Sequence, residues 1–151
     1  MADLNSSDVL NRLLVRLYRG LLQYAVDCCS WTTAADTAAI ESGEQMAIEQ
    51  IAARQKAFIA RLVELISRRG SVVDFGSYPD NSELHYVALD YLLGKLIADE
   101  QGLIAELQAG LRVLQSDAEA AALVTEILAA ENENVVRLRE LSRSASAASV
   151  S

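Results

Sequence analysis

Hydrophobic residues recur every three or four positions along four stretches of this chain, which is the spacing of a helix face packed on a core. A loose segment rich in Ala and Thr, residues 32–43, separates the first two stretches. The predicted helices, numbered 1 to 4, cover approximately residues 7–31, 36–69, 82–114 and 118–143. The sequence therefore predicts one all-α domain over residues 1–143, followed by a flexible, small and polar tail at 144–151.

The lengths of the connections predict how the helices are arranged. Residues 115–117 form a short turn, so helices 3 and 4 should be antiparallel neighbours. The stretch 70–82 has thirteen residues and contains two Gly and the only Pro. Fully extended it reaches ~44 Å, whereas a helix of ~27 residues is ~40 Å long. This stretch can therefore run the length of the bundle as a long crossover, which would make helices 2 and 3 parallel.

Composition narrows the class of protein. Apolar residues make up 52% of the 151 residues and the formal net charge is −8. The negative charge disfavours nucleic acid or an anionic membrane surface as a partner. No apolar run reaches the ~18 residues that a membrane span requires, and no signal peptide is evident at the N-terminus. We expect a cytoplasmic protein that does not associate with membranes.

Two glutamates interrupt otherwise apolar helix faces. Glu100 lies midway along the leucine-rich stripe of helix 3, and Glu131 lies midway along the Val and Leu stripe of helix 4. A carboxylate on a buried face is costly unless a partner compensates it. Because antiparallel neighbours align their midpoints, the two glutamates are expected to face each other in a polar centre inside the bundle.

Two segments resemble a known family. The segment LNRLLVRLYRGLLQY of helix 1 resembles the first helix of ferritin-like proteins, bacterioferritins in particular, and ILAAENENVVRL of helix 4 resembles their last ligand-bearing segment. The resemblance implies a ferritin-like four-helix bundle with a long crossover between helices 2 and 3. It also implies a di-metal site built from one Glu on each of two helices and a Glu-x-x-His on each of the others.

Carried over to this chain, the implied metal site is mostly missing. Glu100 and Glu131 match two ligand positions, while Asn134 replaces a histidine. The remaining ligand positions fall on Leu17, Ile51 and Arg54. Two carboxylates and an amide are poor ligands for iron or zinc, so we expect no metal cofactor. If a metal binds, iron or manganese held by Glu100, Glu131 and a helix 2 acid such as Glu49 or Glu44 is the alternative.

A metal-free centre needs other groups to compensate the glutamates. Arg54 is the candidate cation, because a guanidinium can bind carboxylates bidentately. Gln55 and Asn134 can satisfy the remaining lone pairs. The resemblance also implies a hydrogen bond from Tyr24 to Glu100.

Three other features leave alternatives open. Cys28 and Cys29 are adjacent, which favours ordinary helix residues over a disulfide, with a reactive thiol as the alternative. His85, the only histidine, is interpreted as a structural residue near the start of helix 3, with a pH-sensing or ligand role as the alternative. Three basic residues of helix 1 form either a solvated face or pairs with neighbouring acids: Arg12, Arg16 and Arg19.

No motif for phosphate binding, zinc binding or nucleophilic catalysis is present in the sequence. The leading hypothesis is a bundle with a degenerate metal site that acts as a structural or protein-interaction module rather than as an enzyme. The alternatives are a carboxylate-bridged oxidase or iron-handling protein and a binder of small ligands. A protein partner or a homodimer is expected, the latter through the resemblance only.

Overall fold

A computed structural model of the protein describes the backbone of residues 2–28, 31–32, 44–76 and 87–150. Side chains are described within 6–26, 46–76 and 91–144. The helices are α1 (Ala2–Tyr18), α2 (Leu21–Cys28), α3 (Glu44–Arg68), α4 (Leu89–Val113) and α5 (Ala118–Val150). The only described strands, β1 (Trp31–Thr32) and β2 (Val87–Ala88), form a two-residue parallel pair. The all-α prediction is confirmed.

Predicted helix 1 is broken into α1 and α2 instead of being continuous. The amide of Gly20 bonds to the carbonyl of Leu17, a shorter-range bond than the α-helical pattern. The amide of Leu21, which starts α2, donates to Oδ2 of Asp99 on α4 at 3.1 Å. Asp99 thus satisfies a donor that the new helix start would leave unpaired. The break is stabilised by a neighbouring helix, so the local pattern did not indicate it.

α3 and α5 lie side by side in opposite directions. As the residue number on α3 rises, the number of its bonded partner on α5 falls. The pairs are Gln50 with Arg137, Arg54 with Glu133, Arg61 with Glu126 and Arg68 with Glu119. α4 and α5 are joined by the short turn around Asp117, whose amide bonds to the carbonyl of Leu114. This turn agrees with the short connection predicted at 115–117.

α1 and α2 pack against both α3 and α4. A Cβ added to Gly110 on α4 would lie 3.2 Å from Val9, and Arg16 near the other end of α1 reaches Asp99 and Glu106. These contacts make α1 antiparallel to α4. Pairing of Arg16 with acids of a neighbouring helix was the alternative to a solvated basic face, and for Arg16 it is what the structure shows.

Residues 71–76 run along α1 after the end of α3. The Ser71 hydroxyl donates to that of Ser7 at 3.0 Å, and the amide of Asp74 donates to the Asn11 side chain at 2.9 Å. Farther along α1, the Arg19 guanidinium donates to the carbonyl oxygens of Phe75 and Gly76. The segment therefore travels from the start of α1 towards its end. The rest of the predicted crossover lies outside the described residues.

Two helix ends differ from the prediction. Residues 87–88 are extended, so α4 begins at Leu89 and not near residue 82. α5 continues to Val150, beyond the end predicted at 141–143, because its Ser- and Ala-rich end contains no Pro or Gly to terminate a helix. The flexibility predicted for 144–151 stays a prediction. His85 and Cys29 lie outside the described residues, and so do the side chains of Cys28 and Glu44.

The hydrophobic core consists of two clusters. The larger one surrounds residues such as Leu14, Leu62 and Leu107, and the smaller one surrounds residues such as Leu22, Ile48 and Leu96. α3, α4 and α5 each contribute residues to both clusters. On each of these helices, a buried polar side chain lies between the residues of one cluster and those of the other. No helix in the described parts of the chain is long and apolar enough to cross a bilayer.

Candidate functional site

Five buried polar side chains meet inside the bundle. We call them the polar centre: Gln23 on α2, Gln55 on α3, Glu100 on α4, and Glu131 and Asn134 on α5. None of the five is more than 3% exposed. The four positions of this set named from the sequence are brought together here, and Gln23 is an addition.

An amide group bridges the two carboxyls. Nε2 of Gln55 donates to Oε1 of Glu100 at 2.7 Å and to Oε2 of Glu131 at 2.9 Å. Both hydrogens of this amide are thereby used. Asn134 donates a further bond to the same oxygen of Glu131 at 3.2 Å.

Gln23 holds the bridging amide in place from α2. Its Nε2 donates to Oε1 of Gln55 at 3.1 Å and to the carbonyl of Ala52 at 2.9 Å. The first bond leaves only the NH₂ group of Gln55 to face the carboxyls. In the polar centre, the amides of Gln55 and Asn134 therefore donate directly to the carboxyls, and the amide of Gln23 donates to Gln55.

The two carboxyls are not compensated by a cation. Within the described residues neither forms an ion pair with an arginine or lysine, and one oxygen of each, Oε2 of Glu100 and Oε1 of Glu131, has no hydrogen-bond partner. Burial, and after it the neighbouring Glu131 carboxyl, raise the pKa of Glu100 from 4.5 to about 10, although the hydrogen bond from Gln55 acts in the opposite direction. The direction of this pKa shift favours the neutral form of Glu100.

The prediction that Arg54 supplies the compensating cation is wrong. Its side chain is 47% exposed and pairs with Glu133 on the bundle surface at 2.8 Å. The ligand register that the resemblance implies for α3 therefore does not hold, because Gln55 and not Arg54 lies in the centre. Ile51, the other ligand position implied on α3, is buried in the smaller apolar cluster.

Three other positions named from the sequence lie around or outside the centre. Tyr24 is half-buried next to Gln23 on α2, and its hydrogen bond to Glu100 stays a prediction. Glu49 is exposed on α3, and Leu17 is buried in the larger apolar cluster. Glu49 is therefore not placed as a ligand beside the buried glutamates.

Gln23 was missed by the sequence reasoning. An unbroken helix would place Leu21 and Tyr24 on the core face, but after the break Leu22, Gln23 and Ala25 are the buried positions. The sequence feature that could have indicated Gln23 is its position close to Gly20, a residue that weakens a helix.

The donor set does not fit a dinuclear metal site. Among the described residues no group of three or more His, Cys, Asp or Glu side chains could hold a metal ion. In addition, the NH₂ group of Gln55 points at both carboxyls. Its hydrogens carry partial positive charge and occupy carboxylate lone pairs that a cation would need.

A surface groove of about 330 Å³ lies between α3 and α5. Its lining includes the ion pairs of Arg61 with Glu126 and of Arg68 with Glu119. No residue of the polar centre lines it. The groove therefore gives no support to the hypothesis that the polar centre is the floor of a ligand pocket.

Comparison with known proteins gives no match: no protein-family model, no curated protein and no solved structure is significantly similar to this chain.

Proposed function

We propose that this chain is a ferritin-like four-helix bundle in which a network of amides and carboxyls replaces the metal site, and that it acts as a structural or protein-interaction module and not as an enzyme. The observation that carries the proposal is the Gln55 amide, which donates to both buried glutamates at 2.7 and 2.9 Å. A group that donates hydrogen bonds stands where a metal protein needs a cation.

The directions of the helices support the ferritin-like part of the proposal. α3 and α4 are each antiparallel to α5, so we infer that they are parallel to each other. Two parallel consecutive helices need a long crossover. The course of residues 71–76 along α1 is in keeping with such a connection over 70–82.

The polar centre is suited to a structural task. It links α2, α3, α4 and α5 through directional bonds, and a buried network is satisfied only when every helix is in one register. An alternative packing would leave a buried carboxyl or amide without a partner, which is costly. The network can therefore select one arrangement of the bundle on which a partner surface is displayed.

The expected partner is another protein or a second copy of the chain, in the cytoplasm, and neither nucleic acid nor a membrane. The net charge of −8 supports the exclusion of nucleic acid and membranes as partners, because an acidic protein repels polyanions and anionic lipids.

Elemental analysis tests the metal-free assignment. Protein purified without chelator from cells supplemented with iron and manganese should carry well under one equivalent of iron, manganese or zinc and should show no ferroxidase activity. The matched variant is Glu131→Ala, which should leave this background metal content unchanged. Two equivalents of a transition metal that disappear in Glu131→Ala would refute the proposal and favour the carboxylate-bridged oxidase or iron-handling protein.

A further inference from the structure

Three buried oxygens of the polar centre accept no hydrogen bond within the described residues: Oε1 of Gln23 and one oxygen of each glutamate. The two glutamate oxygens are Oε2 of Glu100 and Oε1 of Glu131, and each is the oxygen that the Gln55 amide does not reach. Two ionised carboxylates that are buried and bonded to the same amide nitrogen would repel each other strongly. A single proton between these two oxygens would remove one charge and give both oxygens a partner.

We propose that the polar centre is a proton-binding site, in which Glu100 and Glu131 hold one proton between Oε2 of Glu100 and Oε1 of Glu131 at neutral pH. The inference rests on the proposed function in one respect, which is that no metal ion occupies the centre.

The donors around the pair indicate which carboxyl holds the proton. Oε2 of Glu131 accepts from both Gln55 and Asn134, whereas Oε1 of Glu100 accepts from Gln55. Donors stabilise the ionised form of the group that accepts from them. Glu100, which accepts from fewer donors, is therefore the acid that carries the proton.

One charge outside the pair acts in the same direction: the negative charge of Asp99 on α4 raises the pKa of Glu100, although less than burial and Glu131 do. On α1, Arg16 pairs with Asp99 and Glu106. α3 and α5 contribute Arg54 and Glu133, which pair with each other at the surface. α2 contributes the titratable Tyr24 beside Gln23.

Infrared spectroscopy of the folded protein at pH 7 tests the site directly. A carboxyl with an ordinary pKa near 4.3 is less than about 1% protonated at that pH. We expect the C=O band of one protonated carboxyl in the wild type, its absence in Glu100→Gln, and its retention in Glu140→Gln, which alters an exposed carboxyl on α5. Absence of the band from the folded wild type would overturn the inference, as would its persistence in Glu100→Gln.

The pH dependence of unfolding gives a second readout. Because the pKa of Glu100 rises from 4.5 to about 10 on folding, the folded state binds one more proton than the unfolded state between these values. The unfolding equilibrium constant should therefore rise about tenfold per pH unit from pH 6 to 9 relative to that of Glu100→Gln. Parallel pH profiles for the two proteins would overturn the inference.

The two proposals fail in different ways. Stoichiometric transition metal in the purified protein would refute the metal-free function, whatever the infrared spectrum shows. A metal-free protein without the protonated-carboxyl band would refute only the shared proton. If Glu100→Gln does not fold, the band in the wild type decides alone.

Discussion

Gln55 and Arg54 are adjacent on α3, and replacing each by methionine separates the buried network from the surface. Methionine is similar in length to glutamine but cannot donate a hydrogen bond to a carboxyl. Gln55→Met therefore keeps most of the packing volume and removes the bridging amide. Arg54→Met removes the cation that the sequence placed in the centre and the structure places at the surface.

The two substitutions should differ widely in cost. Gln55→Met removes the bonds of 2.7 and 2.9 Å to buried carboxyls and leaves the Gln23 amide without one of its acceptors. A buried polar group left without its hydrogen-bond partner costs about 1–3 kcal/mol, and a charged group costs more. The pair of Arg54 with Glu133 is exposed, and such pairs contribute about 0–1 kcal/mol.

Urea unfolding followed by circular dichroism at pH 7 measures both free energies. Because several buried groups lose a partner together, we expect Gln55→Met to lose about 3–5 kcal/mol in total, a large part of the roughly 5–15 kcal/mol that stabilises a domain. Arg54→Met should unfold close to the wild type with an unchanged denaturant slope. The reasoning is refuted if Gln55→Met is no less stable than Arg54→Met, because the amide bridge would then contribute nothing to the fold.

Other predictions concern the carboxyls, one bundle end and the segment along α1. Replacing Glu100 and Glu131 together by glutamine should leave the melting temperature at pH 8 unchanged or raised, since buried charge is removed, and a drop of several degrees would contradict this. Asp117, whose pKa is lowered to about 2 chiefly by hydrogen bonding to Arg69, stabilises the fold above its unfolded value of 3.8. That stability is lost as the pH falls towards 2, so Asp117→Asn should flatten this part of an acid titration of stability. Gly76→Ala should cost more in urea unfolding than Gly70→Ala, because both have positive φ but only the Cβ at 76 would lie 2.9 Å from Val15; equal costs would contradict the packing of 71–76 on α1.

The sequence determined the class of the fold and the two central residues of the site. Helix periodicity is a local property, and it placed the apolar faces of α3, α4 and α5 from neighbours a few positions apart. Glu100 and Glu131 stood out for the same reason, because each interrupts a regular stripe. Asn134 could be named as a partner because it lies one helical turn after Glu131 on α5, and Gln55 because it lies at a similar depth on α3.

The rotation of each helix about its axis depends instead on contacts with its neighbours. One residue of register turns a helix by about 100°, which moves a side chain from the core to the surface. Such a shift exchanges Arg54 for Gln55 on α3, and it was the ligand register implied by the resemblance that put Arg54 at the site. On the first helix the turn comes from the break at Gly20, which is stabilised by the bond from Leu21 to Asp99, 78 positions away. Contacts between helices determine that break, and Gln23 reaches the centre because of it.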